Sequence, residues 1–207
     1  MQTILQKKLL IATNNPGKVR ELRQLLSPVA GLQLLTTAEI GLVLEVEESG
    51  QSYRQNAAIK ACRFAEAAGM TALADDSGLE VDALDGAPGL HSARYTGAEN
   101  ATYPELRAYL LQKLAGVPRP WTARFRSTLA VADVDGQVWY AEGICEGEII
   151  PEERGEGGFG YDPIFRLPEL GKTMAQLGEQ EKNAVSHRGN AVRAALPMLE
   201  EMFNLSN

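Results

Sequence analysis

Two adjacent aspartates, Asp75 and Asp76, lie in the stretch ALADDSGLEVD at residues 72–82. They follow a short apolar run that is typical of a strand, and α/β proteins place ligands at strand ends. Carboxylates at such a position can hold Mg²⁺ together with substrate phosphates. Because adjacent residues of an extended chain point in opposite directions, we expect one aspartate to face a pocket and the other to brace the loop. The alternative is an ordinary Asp-rich turn.

A second acidic pair, Glu47 and Glu48, lies in EVEESG at residues 45–50, just before a predicted helix. One of these glutamates could supply a second carboxylate to the same metal. They could equally be solvated surface residues, and the sequence does not choose between them.

The stretch IATNNPGKVRELRQLL at residues 11–26 changes from a strand pattern to a helix pattern. Asn15 is a good N-cap and Pro16 suits the first helical position. The N–H groups of Gly17 and Lys18, the helix dipole and the lysine charge together favour a bound phosphate. The stretch is not a P-loop, because GxxxxGK[ST] is absent. The alternative is a strand–helix turn with a solvated lysine.

A glycine-rich segment, GEGGFGYDPIF at residues 155–165, contains two aromatic residues, Phe159 and Tyr161. A flexible loop that carries flat aromatic rings can stack on a nucleobase. The alternative is a loop whose aromatic side chains pack back into the core.

Lys182, His187 and Arg188 cluster in EKNAVSHRGNA at residues 181–191, near a predicted helix start. These side chains are hydrogen-bond donors that suit carbonyl oxygens or phosphates. The alternative is a basic helix end at the surface.

The elements that must position these residues alternate between strand and helix in the first half of the chain. A pair of strands joined by Asp135-Gly136 follows in the second half. This pattern predicts an α/β fold with a mixed sheet. Helices are predicted after the N-caps Asn15, Ser52, Thr102 and Ser186. Strands are predicted at residues 9–13, 32–36, 42–46, 71–74, 79–83, 123–131 and 138–141.

The composition is that of an ordinary globular protein, with 207 residues, 44% hydrophobic and 23% charged. The net charge of −7 argues against broad binding to nucleic acid. Cys62 and Cys145 form no CxxC pattern, so free thiols in a reducing compartment are expected. The sequence contains no run of roughly 18 apolar residues, so no membrane-spanning helix is predicted. We therefore expect a cytoplasmic protein with no membrane and no direct nucleic-acid partner.

Five motifs, in this order, resemble those of the inosine triphosphate pyrophosphatase family, whose members hydrolyse non-canonical purine nucleoside triphosphates. The resemblance extends through nearly the whole chain. The motifs are TNNPGK at 13–18, ADDSG at 74–78, GAPGLHSARY at 86–95, GGFGYDPIF at 157–165 and SHRG at 186–189.

The resemblance implies one pyrophosphatase domain over residues 1–207, with two lobes, a long mixed central sheet flanked by helices, an interlobe cleft and a homodimer. It implies hydrolysis of ITP, dITP and XTP to the monophosphate and pyrophosphate, with Mg²⁺ as the cofactor.

The resemblance also assigns roles to individual residues. Asp76 would be the general base and a metal contact, with Glu47 or Glu48 as a further metal ligand. Asn14 stands where many family members have glycine, which affects the loop's backbone geometry but not the lysine. The residues that would hold the phosphates are Thr13, Asn14, Asn15, Pro16, Gly17 and Lys18. Ser77 would touch the substrate. The residues that would hold the base and sugar are Phe159, Gly160, Tyr161, Asp162, Lys182, His187 and Arg188.

Three other functions compete with this one. A related pyrophosphatase could act on modified pyrimidines or canonical nucleotides, a nucleotide-binding regulator could bind without turnover, and a phosphomonoesterase could release orthophosphate. The full set of acidic residues, Asp75, Asp76, Glu47 and Glu48, argues against a protein that only binds.

Overall fold

A computed structural model of the chain describes residues 7–98 and 100–205. Within these residues, short 3-10 segments separate some of the longer elements. None of the helices described is long and apolar enough to cross a membrane. The helices are α1 (Pro16–Leu26), α2 (Tyr53–Ala68), α3 (Tyr103–Lys113), α4 (Glu179–Val185) and α5 (His187–Met202). The strands are β1 (Lys7–Ile11), β2 (Leu32–Thr36), β3 (Ala72–Val81), β4 (Trp121–Ala132), β5 (Val138–Ile149), β6 (Phe165–Leu167) and β7 (Lys172–Thr173).

The strands form one sheet in the order β2-β1-β3-β4-β5-β6-β7. β1 is parallel to β2 and to β3, whereas β6 is antiparallel to β5 and to β7. The predicted α/β fold with a mixed sheet is therefore confirmed. β6, β7 and α4 are short elements that the sequence pattern does not predict.

The chain divides into two compact units. The first comprises Met1–Asp76, Thr128–Gly143 and Ala191–Asn207, and the second comprises Ser77–Ser127 and Ile144–Asn190.

In the first unit, successive residues of β1 face opposite sides of the sheet. Leu9 and Ile11 belong to a buried cluster that includes residues of α1 and α5. Leu10 and Ala12 belong to another cluster, which includes residues of α2. Burying each such leucine stabilises the fold by about 1.5–3 kcal/mol, so both faces hold the strand in place.

The core of the second unit contains the apolar side of α3, with Leu106 and Leu110, together with side chains of β3–β6. Phe125 and Phe165 lie with their ring centroids 4.4 Å apart in this core. The core supports the glycine-rich segment, because that segment leads directly into β6.

Four side chains cap the helices as predicted. Asn15 accepts hydrogen bonds from two N–H groups of α1, and Ser52 accepts one from Gln55. Thr102 and Glu105 form a capping box at α3. Ser186 accepts a hydrogen bond from the Gly189 N–H in the first turn of α5.

The prediction of two separate strands at residues 71–74 and 79–83 is wrong, because β3 runs unbroken from Ala72 to Val81 and includes the Asp-rich stretch for which a turn is the alternative. β3 lies between β1 and β4, so its backbone has a neighbouring strand on each side. The turn preference of the DDSG sequence is weaker than this tertiary pairing.

The predicted strand at residues 42–46 is also wrong. The segment does alternate, since Leu42, Leu44 and Val46 pack on the cluster that contains α2 whereas Val43 is exposed. However, the Leu44 carbonyl accepts a hydrogen bond from a side chain, that of Asn14, and the segment joins no sheet. It is an extended segment with a buried side.

Candidate active site

Asp75 and Lys18 form a buried ion pair in the first unit. The Lys18 Nζ lies 3.0 Å from Asp75 Oδ2 and also donates to the Asp75 carbonyl oxygen at 3.1 Å. The Asp75 side chain is completely buried. Asp75 therefore fixes Lys18, which lies in the first turn of α1. This is the bracing role expected for one of the two aspartates.

Asp76 shares a second lysine, Lys60 of α2, with Glu48. The Lys60 Nζ lies 2.8 Å from Glu48 Oε1 and 3.1 Å from Asp76 Oδ1, and it donates to the Asp75 carbonyl oxygen at 3.0 Å. Two carboxylates from different parts of the chain therefore converge on one point.

The sequence analysis missed Lys60. A usable signal exists, because Lys60 lies three residues after Ala57 and four residues before Phe64, both of which are buried. A lysine at this spacing falls on the core-facing side of a helix and requires a partner.

The choice between the two glutamates is made by the local backbone. The Gly50 N–H donates to the buried Asn56 Oδ1 at 2.8 Å, which ties the segment before α2 to that helix. In this arrangement Glu48 reaches Lys60, whereas Glu47 is exposed. The structure thus brings Glu48, and not Glu47, to Asp76.

The charges in this group shift one another's protonation. Burial raises the pKa of the Asp76 carboxyl above its usual value, Glu48 raises it further, and Lys60 and Lys18 only partly oppose this. Burial alone would lower the pKa of the Lys60 ammonium, but the Asp76 and Glu48 carboxylates raise it overall. Lys60 therefore stays charged, and Asp76 is a stronger base than an exposed aspartate.

The N-terminus of α1 differs from the expectation of free N–H donors. The Gly17 and Lys18 N–H groups donate to Asn15 Oδ1 at 2.9 Å and 3.2 Å. Thr13 Oγ1 accepts a hydrogen bond from the Asn15 N–H at 3.2 Å. Because Asn15 already accepts from these two N–H groups, the Lys18 ammonium is the main positive group that the segment offers to a phosphate.

Asn14 connects the loop before α1 to the segment that leads to Glu48. Its Nδ2 donates to the Leu44 carbonyl oxygen at 3.1 Å. Among residues 7–98 and 100–205, the non-glycine residues with positive φ are Asp85 and Asn204. Asn14 thus adopts an ordinary backbone conformation, and glycine is not required there.

A second group of predicted site residues surrounds Phe159 in the second unit. The Lys182 Nζ and the Arg188 guanidinium lie 5.1 Å and 5.7 Å from the centre of its ring. Lys182 pairs with Asp162 at 2.6 Å, and Arg188 donates to Ser77 Oγ at 3.1 Å. Phe159 itself is partly exposed, so its ring can still meet a ligand.

Asp162 also sets the backbone of the loop. Its Oδ2 accepts a hydrogen bond from the Phe159 N–H at 2.8 Å. Gly158 has a φ of +71°, and a Cβ added there would collide with the Asp162 carboxylate. Only glycine fits this position, which explains part of the glycine-rich pattern.

Two of the predicted site residues, Tyr161 and His187, have buried side chains. The Tyr161 hydroxyl donates to the Ser92 carbonyl oxygen at 2.9 Å, and its ring is buried among apolar residues. The idea that Tyr161 stacks on a base is therefore corrected. The buried His187 ring stacks on Phe125, with a centroid distance of 4.8 Å.

Comparison with known proteins identifies the family of the chain. The model of the Ham1 family matches residues 9–198. A protein named dITP/XTP pyrophosphatase from Desulforamulus reducens is 50% identical over 197 residues, 95% of this chain and 97% of the relative. Another of the same name from Thermus thermophilus is 51% identical over 192 residues, 91% of this chain and 90% of the relative.

A solved structure of a HAM1 protein from Coxiella burnetii is 38% identical and has a TM-score of 0.84. The match covers 94% of this chain and 99% of that one. The chain therefore belongs to the Ham1 family, which confirms the resemblance to the inosine triphosphate pyrophosphatases that its five motifs predict.

Proposed function

We propose that the protein hydrolyses non-canonical purine nucleoside triphosphates, namely ITP, dITP and XTP, to the monophosphate and pyrophosphate, and so cleans the nucleotide pool. The observation that carries the proposal is the convergence of Glu48 and Asp76 on one cation, next to the pair formed by Lys18 and Asp75. The names of the relatives support the choice of substrate.

The residues present fit a magnesium ion. Within the described residues, no three His, Cys, Asp or Glu side chains form a group that could hold a metal. Magnesium does not need one, because it commonly binds through one or two carboxylates together with waters and substrate phosphates. Glu48 and Asp76 would hold the ion, which supplies positive charge to neutralise the triphosphate and the leaving pyrophosphate.

The protein's own cations act on the same phosphates. Lys18 is the residue assigned to the triphosphate, with the backbone and side chains of Thr13, Asn14, Asn15, Pro16 and Gly17 around it. Lys60 adds a second ammonium close to Asp76. Fixed charges of this kind stabilise a transition state because they need not reorganise as the negative charge moves.

Asp76 is assigned as the general base. Its carboxylate would accept a proton from the water that attacks the α-phosphorus, and cleavage there releases pyrophosphate as one piece. Its raised pKa suits this role, because a stronger base takes a proton more readily.

The group around Phe159 is assigned to the base and sugar. Phe159 offers a ring face for stacking, and Lys182 and Arg188 offer donors. Ser77 follows Asp76 directly in the chain and is held by Arg188. Gly160, Tyr161 and Asp162 would contribute through the backbone of the loop, and His187 would contribute from its stacked position on Phe125.

The experiment that tests the function separates the possible products. ITP, dITP or XTP is incubated with the protein and Mg²⁺, and pyrophosphate and orthophosphate are measured separately beside the nucleotide product. IMP with one pyrophosphate per ITP is expected. Orthophosphate with IDP would identify a phosphatase instead, and binding without any product would identify a regulator.

We also propose that the enzyme is a cytoplasmic homodimer, with the family resemblance as the support for the dimer. The cysteines Cys62 and Cys145 are both free thiols, as suits a reducing compartment. Light scattering of the purified protein at several concentrations tests the dimer, and a mass of one chain at all of them contradicts it.

A further inference from the structure

Arg107, on α3, makes a set of contacts that the proposed reaction does not yet use. Its guanidinium forms a two-pronged pair with Glu153, with Nε–Oε1 at 2.7 Å and Nη2–Oε2 at 2.9 Å. Its remaining nitrogen, Nη1, donates to the Gly160 carbonyl oxygen at 2.9 Å. Arg107 is buried, whereas the Glu153 side chain is about half-exposed, so water partly screens the ion pair from one side.

The two partners of Arg107 lie on either side of Phe159 in the chain. Glu153 precedes the glycines of the segment, and Gly160 follows Phe159 directly. The planar guanidinium of Arg107 therefore joins the start and the end of the loop that presents the Phe159 ring. A guanidinium is suited to this because its donors form a fixed fork, whereas a lysine would offer a single point charge.

The same side of α3 also meets the Phe159 ring. Tyr103 precedes Arg107 by four residues, which places both on one face of the helix. The Tyr103 and Phe159 ring centroids lie 6.1 Å apart, with the rings tilted by 41°. α3 thus contacts the loop at its backbone and at its aromatic side chain.

Other hydrogen bonds also restrain this part of the loop. The Gly157 N–H donates to the Ala175 carbonyl oxygen at 3.0 Å, and Asp162 accepts from the Phe159 N–H. The Phe159 carbonyl oxygen also accepts a hydrogen bond from the Asp162 N–H at 3.2 Å. Arg107 donates to the carbonyl of Gly160, and so it fixes the orientation of the peptide between Gly160 and Tyr161, one residue after Phe159.

We propose that Arg107 is a positioning residue that holds the loop around Phe159 in the conformation that receives the purine base. This inference rests on the proposed function, in which the same loop binds the base. Arg107 acts through Gly160 and Glu153. Its loss should therefore affect recognition of the base and leave phosphate chemistry intact.

The test uses Arg107→Met, which keeps most of the side-chain volume, and Glu153→Gln, which weakens the pair without removing the side chain. Arg124→Met is the matched control, because Arg124 also pairs with acidic residues of the same unit, Asp82 and Glu146, but makes no contact with the loop. Each variant is first checked for its melting temperature against the unmodified protein.

Two substrates separate the base from the phosphates. One is dITP, and the other is deoxyribose 5′-triphosphate, which has no base. For Arg107→Met we expect kcat/KM for dITP to fall by about 10–100-fold, mainly through KM, because a loop displaced by about 1 Å loses that much. For the substrate without a base, the change should stay within about twofold.

A readout that is independent of turnover is hydrogen exchange of the backbone amides in residues 155–160. Exchange should speed up in Arg107→Met, less in Glu153→Gln, and not in Arg124→Met. Unchanged exchange in Arg107→Met, or an equal loss of turnover with both substrates, overturns the inference. If the unmodified protein itself fails to release pyrophosphate from dITP, the proposed function is overturned too, which the first assay reveals separately.

Discussion

The Lys60 Nζ lies 3.1 Å from Asp76 Oδ1 and 2.8 Å from Glu48 Oε1, so it contacts both carboxylates. This lysine compensates two negative charges that would otherwise repel each other, one on the buried Asp76 and one on the partly buried Glu48. It therefore keeps both carboxylates aligned.

Replacing Asp76 with asparagine should abolish general-base action with little change in shape. We expect kcat for ITP to fall by about 10²–10⁴-fold, and by more if the carboxylate also holds the metal. Nucleotide should still bind, as calorimetry would detect. Near-normal turnover by Asp76→Asn would move the base assignment to another residue, with Asp75 the first to examine.

Glu48 and Glu47 form a matched pair for testing the metal. Glu48→Gln should raise the Mg²⁺ concentration required for half-maximal activity by roughly tenfold or more, because loss of even an outer-shell partner commonly has that effect. Glu47→Gln should leave it unchanged, since that side chain is exposed and away from Lys60. Equal effects of the two substitutions would contradict the assignment.

Lys60→Met should raise the pKa of the Asp76 carboxyl further, because the nearest opposing positive charge is removed. A carboxyl with a raised pKa favours folding in its protonated form, so its stabilising contribution is present below its unfolded pKa and is lost as the pH rises through the folded pKa. A pH titration of the Asp76 carboxyl, followed by ¹³C NMR of the metal-free protein, measures this pKa in Lys60→Met and in the unmodified protein. Lys113→Met, at the end of α3, serves as the control.

Base choice should follow the donors near Phe159. Hypoxanthine and xanthine have a carbonyl at C6, whereas adenine has an amino group that would leave a donor of Lys182 or Arg188 unpaired. Sites built on hydrogen bonds discriminate by ~10⁴-fold or more, so kcat/KM for ATP should lie far below that for ITP. Arg188→Ala should reduce the ratio of kcat/KM for ITP to kcat/KM for ATP. Equal turnover of ATP and ITP by the unmodified protein would exclude the pool-cleaning role.

GTP also has a C6 carbonyl, so donors at that position do not exclude it. We expect GTP to be a poor substrate because of its 2-amino group, which backbone or packing near Phe159 would have to refuse. A kcat/KM for GTP equal to that for XTP would show that the loop tolerates this group.

The thiols should be unreactive in the folded protein. Burial raises the pKa of the Cys145 thiol to about 12, helped by Glu146 and Asp162, and burial also raises that of Cys62. Since the thiolate is the reactive form, a disulfide reagent at pH 7 should react slowly in native buffer and with two thiols in urea. Rapid labelling of Cys145 in the native protein would contradict its burial.

Much of the fold can be read from local signals. The caps at Asn15, Ser52, Thr102 and Ser186 are correct because capping involves residues two or three apart, which a sequence displays directly. The mixed sheet follows from the alternation of strands and helices. The break between strands at Asp75–Gly78 is predicted wrongly because it depends on non-local contacts. The pairing of β3 with strands distant in sequence outweighs the turn-forming residues of this stretch.

The site is only partly visible in the sequence. The motifs identify Lys18, Asp76 and Arg188, but not which glutamate meets Asp76, because that depends on the bond between Gly50 and Asn56. Lys60 is missed because it stands alone among helix residues without a motif. Tyr161 is misassigned because a stacking ring and a core ring look alike until their surroundings are known.

The unbroken course of β3 also governs which insertions and deletions the protein can accept. Asp75, Asp76 and Ser77 are consecutive residues of one strand, and their side chains alternate between its faces. One residue added or lost before Asp75 would exchange those faces, separating Asp75 from Lys18 and Asp76 from Lys60 together. Length changes should thus be rejected within β3 even where single substitutions survive, whereas the loop at Asp135-Gly136 between β4 and β5 should tolerate them.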